Sequence, residues 1–279
     1  MSTAVDDVTL VTIETHYHAL AGRALQECVD RIPFKNVVTF SDRPLLPGAT
    51  NIPTNTITSM RDYCEIMLKC MWPHIKTSHI IFAQWDAMIF DETRWNDDFL
   101  NYDYIGAVWP WQPPGQNVGN GGFSLRSMKL LNALRDPFIH MVPEGPNGVQ
   151  EDNYIAIVHR NMLEQKYGIK FADANLASQF SYELGPYSKS MAFHGFWNVI
   201  NFMPKDTVDF FFTKRPPNMF NELHRAHHII VALGNTDRVD LVESAADEIR
   251  AGKDYANLFA WLTQDTYDNK TAILELIKP

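Results

Sequence analysis

The sequence predicts an α/β fold: a mainly parallel sheet flanked by helices, followed by a helical C-terminal region. Three observations predict it. Short β-branched runs without helical period alternate with amphipathic stretches over the first hundred residues. Those runs are apolar almost throughout, as strands buried on both faces are. From about residue 206 strand signals cease and helical spacing takes over.

"VTLVTIET" (8–15) reads as a central strand. In residues 16–32, Leu20, Ala24, Cys28 and Ile32 recur every four positions, which predicts a helix. "NVVTF" (36–40) is a second strand, ending at Ser41 and Asp42. A Pro- and Gly-bearing loop then leads to the clearest helix of the chain. Ile57, Met60, Cys64, Met67, Leu68 and Met71 share one face there, and Pro73 stops it. Next come a strand in "HIIFAQWDAMIFD" (79–91) and another in "YDYIGAVWP" (102–110).

"VWPWQPPGQNVGNGGFSLRS" (108–127) begins as a binding-type loop and enters a strand at "GGFSLRS", with a helix over Met128, Leu131 and Leu134 behind it. A second loop, "VPEGPNGVQ" (142–150), leads into a helix over "EDNYIAIVHRNMLEQKY". Segments 219–233, 237–251 and 253–263 read as further helices. The domain boundary is placed between 205 and 206, with an α/β domain over 1–205 and a helical extension over 206–279.

A net charge of −9 gives no basic footprint for nucleic acid. No stretch approaches the ~20 apolar residues of a membrane helix, and the N-terminus has no basic-then-apolar leader. The expectation is a soluble cytoplasmic protein. Cys28, Cys64 and Cys70 lack disulfide or zinc-site spacing and read as reduced core thiols.

Burying an ionised carboxylate is costly unless it is paired, hydrogen-bonded or bound to a metal. Asp86, at the end of an apolar strand, therefore marks either an exposed strand end or a site. Four loop segments collect such chemistry: "QWD" (84–86), "GNGGFS" (119–124), "QED" (150–152) and "FHGFWN" (193–198). Ligands of open α/β sheets gather beyond the carboxyl ends of the strands. The ordinary readings stand beside this one: Asp86 caps a loop, His194 is a core histidine, Glu151 and Asp152 suit a helix start, and the glycines permit turns. His224 and His228, four apart on a helix, read as solvent-facing.

In that order, "FAQWDAMIFD", "YIGAVW", "VGNGGFSLRS", "QEDNYI" and "AFHGFWN" resemble GT-A glycosyltransferases, specifically a bacterial-type glycosyltransferase-like family of unknown function, over residues 8–200. The resemblance implies a GT-A, Rossmann-like sheet. It implies transfer of a sugar from a nucleotide-sugar donor, a UDP-sugar by preference, to a glycan or other hydroxyl acceptor, with inversion preferred and a metal assisting. GT-A enzymes hold a divalent metal with Asp-x-Asp; here Gln84 replaces the first Asp and Asp86 keeps the last. Asp86 and His194 are the implied ligands of Mn²⁺ or Mg²⁺. Asp152 is the implied catalytic base, with Glu151 positioning the acceptor. Thr12, Glu14, Thr15, Asp42, Arg61, Gln84 and Asp86 would face the donor nucleotide. Trp109, Trp111, Asn120, Gly121 and Gly122 would face the sugar or acceptor.

Two other readings compete. A nucleotidyltransferase on a similar sheet needs a basic phosphate loop near the N-terminus, where "VTIETHYHALAGR" offers only Arg23. A decayed transferase fold serving as a carbohydrate-binding or scaffold protein would explain the incomplete Asp-x-Asp.

Overall fold

The computed structural model describes residues 5–139 and 150–279, so residues 142–149 of the second expected loop lie outside the described residues. The chain packs as two compact units, Met1–His194 and Gly195–Pro279.

In the first unit, β1 (Val8–Ile13) is buried along its whole length, as its unbroken apolar run requires. Helix α1 (His18–Arg31) buries Leu20, Ala24 and Cys28. Strands β2 (Asn36–Ser41) and β3 (Thr50–Pro53) follow. Helix α2 (Met60–Glu65) starts at Ser59, whose hydroxyl accepts the Asp62 N–H at 3.2 Å. A π turn over Ile66–Cys70 and a 3₁₀ turn at Trp72–His74 carry it on to Pro73. Met67, Leu68 and Met71 are buried in the core, whereas Met60, expected on the same face, and Cys70, expected in the core, are exposed.

Next come β4 (His79–Ala83), β5 (Ala87–Ile89), β6 (Tyr104–Ile105) and β7 (Phe123–Ser127). The strand expected over 102–110 is thus only two residues long, with a separate bridge from Val108 to Val118. Helix α3 (Met128–Ala133) is capped by Ser127, which accepts the Leu130 N–H at 3.0 Å. The helix expected from residue 151 is interrupted. It comprises α4 (Glu151–Asn153), a π turn over Tyr154–Val158, a break at His159, and α5 (Arg160–Tyr167), which ends on Gly168 at φ 62°. The unit closes with α6 (Ala174–Phe180), β8 (Ser181–Tyr182) and β9 (Ala192–His194).

The main sheet has six strands in the order β3-β2-β1-β4-β7-β6. Strands β1 to β4 are mutually parallel, and β7 runs antiparallel to both β4 and β6. The expected mixed, mainly parallel α/β class is therefore observed. Because β7 is reversed, its amino end lies at the edge where β1, β2 and β4 have their carboxyl ends. That edge collects Glu14, Asp42, Gln84 and the glycine loop before β7. A three-stranded sheet, β5-β9-β8, stands beyond β4, with β5 antiparallel to β9.

The second unit is helical: α7 (Phe196–Phe202), α8 (Lys205–Thr213), α9 (Leu223–Asn235), α10 (Val239–Arg250), α11 (Tyr255–Gln264) and α12 (Lys270–Leu276). The boundary read from the sequence falls inside this unit, where α7 packs against α9. His224 is exposed against Trp261, ring centroids 5.0 Å apart. His228, expected in solvent, is half-buried against Trp197 at 5.1 Å. Among the described residues no helix is long and apolar enough to cross a membrane.

Candidate active site

The turn after β4 explains why a carboxylate follows a buried strand. Gln84 continues the β4–β7 pairing by donating its N–H to Gly122 O at 2.8 Å. Ala87 N–H then closes the turn on Gln84 O at 3.1 Å, and the chain reverses into β5. In the antiparallel β5–β9 pair Ala87 stands opposite His194, which carries Asp86 to the histidine. His194 Nε2 lies 3.5 Å from Asp86 Oδ1 and 3.0 Å from Gln84 Oε1. Its Nδ1 lies 3.0 Å from Glu183 Oε1, and Asn120 Nδ2 donates to Glu183 Oε2 at 2.8 Å. Burial opposes charge on the imidazole, but the Asp86 and Glu183 carboxylates outweigh it and hold its pKa well above the usual value.

Asp86 Oδ1 is buried with no hydrogen-bond partner among the described residues. A carboxylate oxygen, an amide oxygen and, once a cation displaces its proton, the His194 Nε2 converge, a set that suits Mn²⁺ or Mg²⁺ when substrate oxygens complete the shell. Among the described residues no three His, Cys, Asp or Glu side chains are grouped as a metal site by themselves.

The second cluster holds the acidic pair. Glu151 and Asp152 are both buried. Glu151 Oε1 accepts from Arg126 Nη2 at 3.0 Å. Asp152 Oδ2 accepts the Gly121 N–H at 3.0 Å and Oδ1 accepts its neighbour Asn153 N–H at 2.7 Å. Desolvation and the adjacent Glu151 charge raise the Asp152 pKa to about 7, against the lowering pull of these hydrogen bonds and Arg126.

The glycine loop joins the clusters. A Cβ on Gly121 would meet Glu151 Oε1 at 2.2 Å, and one on Gly122 would meet the His194 ring at 2.2 Å. Neither glycine has a positive φ. They are needed because side chains of this protein lie against them, a reason absent from the two sequence readings of turns and substrate approach. Gly119 is likewise covered by the Trp109 ring, at 2.0 Å from its Cβ position.

The remaining expected residues divide. Trp109 is buried on Gly119, whereas Trp111 is 60% exposed and stacks on Trp109 with ring centroids 6.3 Å apart. Thr12 Oγ1 donates to Ala83 O at 2.7 Å, tying β1 to β4. Glu14 Oε1 accepts the N–H groups of His16 and Tyr17 at 2.6 and 2.9 Å. Tyr17 in turn packs against Trp85, centroids 5.5 Å apart. Thr15 Oγ1 accepts the Ile57 N–H at 3.0 Å. Asp42, at the end of β2, pairs with His18 and with Arg43, and these hydrogen bonds lower its pKa to about 2. Arg61 is exposed in the first turn of α2.

Residues 48–194, more than half of the chain, match the family described as "Protein of unknown function (DUF5672)". The chain belongs to that family. The match spans the Gln84–Asp86 turn, the glycine loop, the acidic pair and His194. Comparison with curated proteins gives no match. Among solved structures, this DUF5672 chain is similar to the apo form of mouse xyloside xylosyltransferase 1. The two share 13% identity over 68% of this chain and 97% of that one, with a TM-score of 0.46. It is also similar to galactosyltransferase LgtC in complex with donor and acceptor sugar analogues, at 12% identity over 67% and 86% of the chains and a TM-score of 0.43. A third similar structure is a glycosyltransferase involved in the glycosylation of the major capsid of PBCV-1. There the identity is 11% over 67% and 91% of the chains, and the TM-score 0.42.

Two participants in the DUF5672 site, Glu183 and Arg126, are not among the site residues expected from the sequence. Glu183 stands in an unremarkable loop segment, and Arg126 in a strand. Only the alternation of "FSLRS" hints at Arg126, because it places Ser124 and Arg126 on one face of β7.

Proposed function

We propose that this protein is a glycosyltransferase that moves a sugar from a nucleotide-sugar donor, a UDP-sugar by preference, to a hydroxyl of a glycan or similar acceptor. The observation that carries the reading is the glycine loop. The His194 ring lies against Gly122 and the Glu151–Asp152 pair against Gly121, so the set proposed to hold a cation and the carboxylate proposed to accept a proton flank neighbouring residues. The order of the motifs supports the same reading.

Asp86, His194 and Gln84 would hold Mn²⁺ or Mg²⁺. A divalent ion bound there supplies positive charge against the leaving diphosphate. Glu183, on the far nitrogen of His194, fixes the ring so that Nε2 faces Asp86 and Gln84. Asp152 takes the proton of the acceptor hydroxyl as that oxygen bonds to the anomeric carbon and the bond to the diphosphate oxygen breaks. A carboxylate with pKa about 7 is a stronger base than an ordinary Asp, while part of it is still ionised at neutral pH. Attack from the face opposite the leaving group gives inversion. The exposed Trp111 offers an apolar ring face to a pyranose.

One observation favours a second reading, a glycan-binding protein without turnover: both oxygens of Asp152 already accept backbone N–H groups. Release of nucleoside diphosphate from a panel of nucleotide-sugars, with and without Mn²⁺, separates the two. Release that is lost in both Asp152→Asn and Asp86→Ala supports the transferase. Glycan binding with no release in any condition supports the binding protein.

A further inference from the structure

Arg126 has no part in the steps above, yet among the described residues it is the largest fully buried side chain. On β7 it stands opposite Ile80 of β4 and Tyr104 of β6, in the middle of the sheet. Its Nε donates to Ser124 Oγ at 3.0 Å, and Ser124 Oγ donates to Gly121 O at 3.1 Å. Its Nη2 donates to Glu151 Oε1 at 3.0 Å. Gly121 N–H, on the other side of the same peptide segment, donates to Asp152 Oδ2. The contacts close a ring: Arg126, Ser124, Gly121, Asp152, Glu151 and back to Arg126. Nη1 meets no acceptor among the described residues, and the guanidinium carbon lies 5.5 Å from the Phe82 ring centroid and 5.7 Å from that of Tyr104.

A buried ion pair is a poor device for stability alone, since apolar residues of the same volume usually do as well. This pair instead links a strand, the glycine loop and the acidic helix, and it places one positive charge beside two carboxylates. We infer that Arg126 is a positioning residue for the Glu151–Asp152 pair: it locks the glycine loop and α4 in one register and, through Glu151, sets how readily Asp152 takes up a proton. The groups facing Asp152 are Glu151 on its own helix, Arg126 on β7, Cys64 on α2 and Tyr104 on β6, with Tyr63 on α2 facing Glu151. Burial pushes Cys64 up to about 12 and both tyrosines well above their usual values, so these three stay neutral while Asp152 titrates. Of these groups, Glu151 and Arg126 are the ones whose charges act on Asp152.

The functional meaning of this inference rests on the proposed role of Asp152, but its test needs no substrate. The probe is the carboxyl ¹³C resonance of Asp152 in the full chain, assigned by its loss in Asp152→Asn and followed from pH 4 to 9. In Glu151→Gln the repelling charge is gone and Arg126 remains, so the Asp152 midpoint falls by one pH unit or more, a tenfold change. In Arg126→Met the carboxyl pair keeps a proton to higher pH than in the wild type. Arg126→Lys keeps the positive charge but not the span from Ser124 Oγ to Glu151 Oε1, so it tests the positioning even if Arg126→Met does not fold, and a midpoint left at the wild-type value by every Arg126 variant that folds overturns the inference. A midpoint that stays in place or rises in Glu151→Gln overturns the inference. A fallen midpoint in a protein that releases no nucleotide keeps it and removes the transferase reading.

Discussion

Gly121 donates its backbone N–H to Asp152 Oδ2 at 3.0 Å while its missing side chain makes room for Glu151 Oε1, which would lie 2.2 Å from a Cβ at that position. One glycine thus anchors the proposed base and accommodates its neighbour. Gly121→Ala forces the Glu151 carboxylate away from Arg126 and is expected to cost ~1–3 kcal/mol by overpacking. Gly122→Ala drives into the His194 ring at 2.2 Å and is expected to cost as much. Thermal melts of both variants check this, and unchanged melting points would show that the loop does not fix these side chains.

The proposed base, Asp152 with a pKa of about 7, would impose a pH dependence on the proposed transfer. Asp152 must be ionised to accept a proton, so transfer rises with pH through about 7, and at pH 5 about 1% of the plateau rate remains. Asp152→Asn should lower kcat roughly 100- to 10,000-fold on the plateau above pH 7, by about 100-fold less at pH 5, and abolish the ascending limb. A pH–rate profile flat between 5 and 8 would remove Asp152 from the proton transfer.

Stability carries the opposite sign. The folded-state pKa of Asp152 is raised above the ~3.9 of an unfolded Asp. Its contribution is therefore full below about pH 4 and is lost as pH rises through about 7. The difference in stability between Asp152→Asn and the wild type should move in favour of the variant by on the order of 2 kcal/mol from pH 5 to pH 8. Urea titrations at the two pH values measure it, and a pH-independent difference contradicts the raised pKa.

The two tryptophans of the long loop should separate. Trp109 is buried against Gly119, so Trp109→Ala is expected to cost ~3–5 kcal/mol. Trp111 is mostly exposed, and Trp111→Ala should change stability by less than about 0.5 kcal/mol. If Trp111 is a sugar platform, its loss raises the acceptor KM with little effect on donor hydrolysis.

What the sequence made legible follows from how local each signal is. The period of Leu20, Ala24 and Cys28 gave α1 because one helix face is enough to specify it. The unbroken apolar runs gave β1 and β4 because both faces of these strands are buried. The apolar spacing after Glu151 predicts a continuous helix because it persists through the π turn, whereas the break at His159, whose N–H returns to Tyr154 O at 2.8 Å and whose ring stacks on Tyr154, leaves no mark on that spacing. Asp86 and His194 could be picked out singly, but their meeting depends on the β5–β9 register, and β5 is only three residues long. The glycines were visible but not their reason, which is the approach of side chains distant in sequence. Arg126 and Glu183 were illegible for the same cause: each acts through a partner 25 or 11 residues away.

The central claim is that the edge of the sheet holds a nucleotide-sugar donor through Asp86 and His194. The most direct measurement is a thermal-shift panel of UDP, GDP, CMP and ADP, each with and without Mn²⁺, on the wild type and on Asp86→Ala. A ligand at ~100 times its Kd adds about 2.7 kcal/mol to native stability. The expected result is a rise in melting temperature that is selective for UDP, requires Mn²⁺ and is absent in Asp86→Ala. No shift with any nucleotide, in the presence or absence of Mn²⁺, would contradict it.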